Sequence, residues 1–231
     1  MQHFFEKIVD AFFPAFCVNC QSDKNLYRHF LCLKCQQEIK LIKTQVCPRC
    51  GRISPAGQFC PGCRQEKLFG VIVGAKFKPP VSELIHWCKY NKMQGIADFL
   101  AELLTPVILK ENLVGDLIIV PVPVNLKKYL ERGFNQADLL ADGLSRRLKI
   151  KRIRVLKKIK ETESQMKLGR RQRLENLTGS FACRNTTDIK GKTILLVDDV
   201  MTTGATLLEG AKVLRIAGAR RIYGVVVAHG K

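Results

Sequence analysis

Nowhere does the chain hold 18 consecutive apolar residues, which excludes a helix spanning a bilayer. Acidic residues are in short supply: 20 Asp+Glu face 39 Lys+Arg, for a net charge of +19. Aromatics make up only 7%, with a single Trp, which leaves little material for a broad base-stacking surface. Past residue 63 only Cys88 and Cys183 remain, so no disulfide framework runs through the larger part of the chain. The opening MQHFFEKIVDAFFPAF carries Glu6, Lys7 and Asp10 and no cleavage site. It therefore does not read as a secretory signal, and a cytoplasmic location is expected.

What is present suits one ordinary α/β domain plus a small module: 231 residues, 46% apolar. The basic excess points to polyanions, either nucleic acid or phosphorylated ligands, against the plainer reading of a solvated basic surface. It is uneven, since 125–184 holds 17 Lys/Arg and 6 Asp/Glu.

Eight of the ten cysteines fall in the first 63 residues, as the pairs Cys17/Cys20, Cys32/Cys35, Cys47/Cys50 and Cys60/Cys63. Cys-x-x-Cys sets two thiolates on one tight knuckle, and two knuckles complete a tetrahedral Zn²⁺ site. Clustered cysteines in a reducing compartment favour metal over disulfides, and a redox role needs one pair rather than four. Two structural zinc ions are expected. Consecutive pairing keeps each loop local and is favoured, with interleaving as the rival. Cys88 and Cys183 read as buried apolar fillers. Phe4, Ile8, Phe12 and Phe16 form a helical apolar stripe, for packing or for a partner or membrane surface.

The character changes near Glu66 to Gly70, giving a zinc-binding module over 1–66 and an α/β domain over 67–231. Strands are predicted at Phe69–Phe77, Leu117–Val122, Ile153–Ile159, Lys192–Val197 and Arg221–Ala228, with helices over Pro80–Leu109, Phe134–Leu148 and Gly204–Ala217. Glu161–Thr178 is basic and Gln-rich and reads as a loop. Continuous apolar strands alternating with helices imply a parallel sheet covered on both faces. Ligands bind such sheets at the carboxyl ends of the strands, here after Val122 and after Val197.

The second of these ends reads ILLVDDVMTTGATL, Ile194 to Leu207. An apolar strand delivers Asp198 and Asp199, followed by Val200, Met201 and the small or hydroxyl residues Thr202, Thr203, Gly204, Ala205 and Thr206, where a helix begins. Unpaired N–H groups and the helix dipole make that start an anion site. Ionised carboxylates beside a phosphate site fit the 2′- and 3′-hydroxyls of ribose, with hydrated Mg²⁺ bridging the remaining charge. The plainer alternative is a helix start with acidic residues in its first turn. The run resembles the signature of type I phosphoribosyltransferases. That resemblance implies Asp198 and Asp199 on the ribose, Val200 to Thr206 around the 5′-phosphate, and phosphoribosyl pyrophosphate (PRPP) with Mg²⁺ as the ligand.

At the first strand end stand Lys127, Lys128 and Arg132, suited to a pyrophosphate. Pro121-Val122-Pro123, then Arg132-Gly133-Phe134-Asn135-Gln136, then Gln165, Arg173, Asn176, Gly179 and Phe181 resemble the ComF family of competence-associated proteins. The resemblance spans the whole chain, cysteines included. It implies a type I phosphoribosyltransferase-like parallel sheet flanked by helices, behind an N-terminal double zinc ribbon. It also implies handling of single-stranded DNA in natural transformation, with competence-machinery proteins as partners. Two alternatives accompany it. One is catalysis, with Asp198 and Asp199 holding the ribose and Arg132 the leaving pyrophosphate. The other is a regulator that senses PRPP without turnover.

Overall fold

A computed structural model describes residues 16–23, 26–27, 30–48, 50, 52–63, 68–91, 93–160 and 178–230. The apolar stripe at Phe4 to Phe13 and the basic segment 161–177 lie outside them. Its central element is a four-stranded parallel sheet of β3 (Gly70–Lys76), β4 (Leu117–Pro121), β7 (Thr193–Met201) and β8 (Arg221–His229), in the order β3-β8-β7-β4.

Strand periodicity assigns each sheet face to its cover. In β7, Leu195 and Val197 join one core cluster and Ile194 and Leu196 the other, all four fully buried. The first face is covered by α2 (Val81–Tyr90), α3 (Gly95–Lys110) and α5 (Gln136–Leu148), through Leu84, Ile85, Phe99, Leu100, Leu140 and Leu144. The second is covered by α6 (Ala205–Ile216), through Leu207, Ala211 and Leu214. Both faces are dry, which explains why these strands read as unbroken apolar runs.

The sheet departs from the sequence expectation in three places. First, β7 continues past Val197 to Met201, because Val200 and Met201 pair with Ala228 and His229 of β8. Second, the strand predicted over Ile153–Ile159 shrinks to β5 (Leu156–Lys158). It pairs antiparallel with β6 (Phe181–Cys183), outside the main sheet. Only Leu156 of its three side chains is buried, too little to hold a strand in a two-faced core. Third, the loop expected after Val122 contains a short helix, α4 (Leu126–Arg132), which buries none of its side chains.

The cysteine module adds two short strands, β1 (Leu26–Tyr27) and β2 (Leu31–Cys32), and the helix α1 (Leu33–Gln37). Its second half lies along the open edge of β3. Isolated bridges join Leu41 to Ala75 and Gln58 to Gly70. Backbone N–H groups of Ile42 and Phe59 donate to the carbonyls of Gly74 and Phe69. Between them the buried Gln45 amide acts as a surrogate strand: its Nε2 donates to Val73 O (3.0 Å) and its Oε1 accepts from Val73 N (2.9 Å). An unpaired strand edge invites association with other chains, and this one is closed. At the other edge, β4 exchanges bonds with Lys151 and Ile153 through Ile119.

Gln45→Leu keeps the size of the side chain and strands both Val73 groups. It is expected to destabilise the fold by about 1–3 kcal/mol, measured by urea unfolding at neutral pH.

Candidate functional site

Every strand of the main sheet runs the same way, so Lys76, His229, Met201 and Pro121 share one carboxyl edge. Asp198 and Asp199 sit just inside that edge, within β7. Asp199 turns toward α2, where its Oδ2 meets Lys89 Nζ at 2.8 Å, both side chains being mostly buried (17% and 20% exposed). Asp198 is partly buried and makes no ion pair among the described residues; its Oδ1 accepts from the Asp199 N–H at 2.8 Å. Loss of surrounding water, then the adjacent charge of Asp199, pushes Asp198 up to about 7. Burial opposes the charge on Lys89, but the Asp199 carboxylate outweighs it and holds the ammonium above its ordinary value.

After Met201 the chain turns through Thr202 and Thr203 to Gly204, whose φ of +76° is left-handed. That conformation favours glycine at this position. Gly204 starts α6 without a side-chain cap, and no acidic residue lies in the first helical turn. Ala205 N donates a long bond to Thr203 Oγ1 (3.4 Å). The N–H groups that follow in the first turn remain available to an anion. Val200 and Met201, predicted as part of the phosphate loop, are strand residues instead. The Met201 side chain is buried and Val200 packs against the core, because the ladder with β8 carries them inward. Thr202 is exposed, Thr203, Gly204 and Thr206 are half-buried, and Ala205 is buried.

The Arg132-to-Gln136 run reaches the cavity beside Asp199, and each residue has a physical task. Gly133 ends α4 in a left-handed conformation (φ +81°). Phe134 is buried. Asn135 caps α5 by accepting from Ala137 N, and its Nδ2 donates to Val122 O (2.9 Å), tying the corner to the end of β4. Gln136 Oε1 accepts from Arg132 Nη1 at 3.0 Å, and the guanidinium lies 5.4 Å from the centre of the Tyr90 ring. Gln136 Nε2 is buried with no partner. It lines a small cavity with Asp199, Cys88 and Leu140. Burial, then repulsion from Arg132 and Lys89, lowers Lys128. Lys89, Lys128 and Arg132 are thus close enough to feel one another across the acid pair.

Lys89 has no motif to announce it. The only signal was its position four residues after buried Ile85, which puts a lysine on the apolar stripe of α2. Cys88 is buried, as a filler would be, and burial followed by the charge of Asp199 pushes its thiol up to about 12. Cys183 is half-buried. Part of the basic excess is structural: Arg146 and Arg147 pair with Asp98, and Arg152 and Arg154 with Asp138.

The eight clustered cysteines form two groups, Cys17/Cys20/Cys32/Cys35 and Cys47/Cys50/Cys60/Cys63, with the sulfurs of each within 4.8 Å of one another. This is the consecutive pairing. Sγ–Sγ separations of 3.7 Å (Cys20–Cys32) and 3.5 Å (Cys50–Cys60) match the roughly 3.8 Å edge of a tetrahedron with Zn–S bonds of about 2.3 Å. Burial and the crowding of neighbouring thiols push Cys35 and Cys63 up to about 12. Four thiolates coexist there only around a cation.

Two family models match parts of the chain. The double zinc ribbon domain model matches residues 8–64, and the phosphoribosyl transferase domain model matches 135–231. Competence protein F of Haemophilus influenzae is 34% identical over 224 residues, 91% of this chain and 95% of that protein. DNA utilization protein YhgH of Escherichia coli is 33% identical over 183 residues, 76% and 80% of the two chains. Among solved structures, adenine phosphoribosyltransferase from Thermoanaerobacter pseudethanolicus overlaps 62% of this chain and 84% of that one, at 18% identity and a TM-score of 0.38.

Two measurements test the site. Metal analysis is expected to find two zinc ions per chain, and one after Cys32→Ser. For Asp198, a carboxyl raised in the folded state contributes stability that is full below its unfolded value near pH 4. That contribution is lost as pH rises through about 7. Asp198→Asn can still accept the Asp199 N–H. It is expected to stabilise the protein by about 1–3 kcal/mol at pH 8 and by roughly half as much at about pH 5.5, read from urea midpoints at the two pH values.

Proposed function

The chain belongs to the competence protein F family, and from that premise we propose that it is a PRPP-binding protein that handles single-stranded DNA in the cytoplasm during DNA uptake. Residues 67–231 form the ligand-binding domain and residues 1–66 the zinc module. Competence-machinery proteins are its expected partners.

One observation carries the ligand reading. An acid pair at the carboxyl edge is followed by a helix start with no acidic residue in its first turn, and it shares its neighbourhood with Lys89, Lys128 and Arg132. A phosphoribosyl group supplies a match for each part. The ribose hydroxyls donate to Asp198 and Asp199, the 5′-phosphate accepts from amides and hydroxyls of Thr202 to Thr206, and the pyrophosphate lies toward Arg132 and Lys128. The free carboxylate oxygens are hard donors of the kind Mg²⁺ takes, usually through its waters. When bound, Mg²⁺ adds positive charge at the pyrophosphate.

The DNA reading rests on the family and on the lysines outside the arginine–aspartate pairs. Among them Lys127, Lys128, Lys157 and Lys158 lie on α4 and β5. No helix among the described residues is long and apolar enough to cross a membrane. Transfer to a nucleobase needs an acceptor pocket. The cavity beside Asp199 is lined mainly by apolar core side chains, so binding without turnover is the reading favoured here.

Isothermal titration of PRPP with Mg²⁺ is expected to give saturable binding that Asp199→Asn weakens by at least about tenfold, or 1.4 kcal/mol. Anisotropy with labelled single-stranded DNA is expected to show affinity falling steeply with salt. Absence of heat with PRPP removes the ligand reading, and a salt-independent or absent DNA signal removes the nucleic-acid reading. Steady release of pyrophosphate with any base of a panel replaces binding with catalysis.

A further inference from the structure

The two carboxylates are used asymmetrically. Asp198 commits Oδ1 to the Asp199 N–H, and Asp199 commits Oδ2 to Lys89. Among the described residues no other hydrogen bond or ion pair claims their remaining oxygens. One open oxygen on each is the number that a vicinal diol requires. Lys89 belongs to neither the β7–α6 turn nor the α4–α5 corner; it reaches in from α2, with its ammonium and the Asp199 carboxylate both largely out of water. An ion pair in such a place is strong only while both partners remain, since removing one strands a charge.

We propose that Lys89 is a positioning residue, a built-in counter-cation that orients Asp199 and offsets its charge, and so lets the site accept a phosphoribosyl ligand with little help from a divalent ion. The inference rests on the ligand reading given above and assigns a role to a residue outside both motifs. The charged groups facing Asp199 are Asp198 from β7, Lys89 from α2, and Lys128 and Arg132 from α4. Without Lys89, Asp199 loses its ion-paired cation, and a phosphate-bearing ligand approaches an acid pair offset only by the more distant Lys128 and Arg132. The charge must then come from solution, and Mg²⁺ is the available source. Lys89 leaves Asp199 Oδ1 open, so neutralisation and diol binding do not compete for the same oxygen.

The test is titration of PRPP into the full-length protein in resin-treated, Mg²⁺-free buffer and again with millimolar Mg²⁺, using wild type, Lys89→Met and Lys89→Arg. Far-UV circular dichroism and zinc content check the fold. Wild-type affinity is expected to change by less than about threefold between the buffers. Lys89→Met is expected to lose about tenfold or more without Mg²⁺ and to recover most of it with Mg²⁺, while Lys89→Arg stays near wild type. A merely structural role for Lys89 lowers affinity equally in both buffers, and that result overturns the proposal. So does a wild-type protein that binds PRPP only with Mg²⁺, a result independent of any variant. If wild type binds no PRPP in either buffer, the ligand reading fails and this inference fails with it.

Discussion

Two adjacent carboxylates at the end of a strand with an apolar interior set the terms for the rest of the site. A parallel sheet covered on both faces offers little water, and unpaired charge there is expensive. The structure meets that cost in two ways. Asp199 receives an ammonium from a different element. Asp198 has no ion-pair partner among the described residues and is instead held toward its neutral form. The pair is therefore poised rather than relaxed: one member is clamped by an ion pair, and the other gains most from a ligand that donates hydrogen bonds. Strain of this kind belongs at binding sites, where stability is traded for function.

That arrangement requires the cationic wall to stay fixed, which explains the density of local devices between Asn125 and Gln136. Asn125 caps α4, Gly133 terminates it, Asn135 caps α5 and ties the corner to β4, and Gln136 grips Arg132. α4 itself buries no side chain, so its position comes from its ends rather than from packing. The zinc module has the same logic at larger scale. Cys17, Val18, Phe30, Leu31, Cys32 and Cys35 join the core cluster that covers one sheet face, and Gln45, Leu41 and Ile42 close the β3 edge. Metal, core and sheet edge are one connected structure, so loss of zinc is felt at the sheet.

The sequence made the main sheet and its helices legible because their stabilising pattern is local: Ile194 to Val197 and Arg221 to Ala228 are apolar runs, and α3 and α5 carry periodic stripes. The pairing of the cysteines was legible for the same reason, since each site closes over a short loop. What escaped was set by distant partners. β7 extends to Met201 because β8 continues beside it, which no reading of Asp-Asp-Val-Met alone reveals. Lys-Leu-rich α4 has no buried stripe to betray it. Lys89 is a single residue whose importance appears only when α2 packs against β7, and Gln45 is a polar residue in a loop until β3 lies alongside.

The basic excess calls for the same distinction between committed and available charge. Net charge alone argues for polyanions without saying where they bind. Four arginines on α5 and just after it are held by Asp98 and Asp138, and these fix the helical layer to its neighbours rather than waiting for a ligand. Burial and the neighbouring Arg132 and Lys89 lower Lys128, which Asp199 partly offsets, and Arg132 is held by Gln136. The long-range field of the protein counts all of these charges, but a phosphate in contact meets only those not already engaged. On the proposed reading, a polyanion and a phosphoribosyl ligand would draw on overlapping but different sets of side chains: the first on lysines of α4, the second on the few cations at the carboxyl edge. Salt, which screens exposed charge far more than partly buried pairs, acts mainly on the first set.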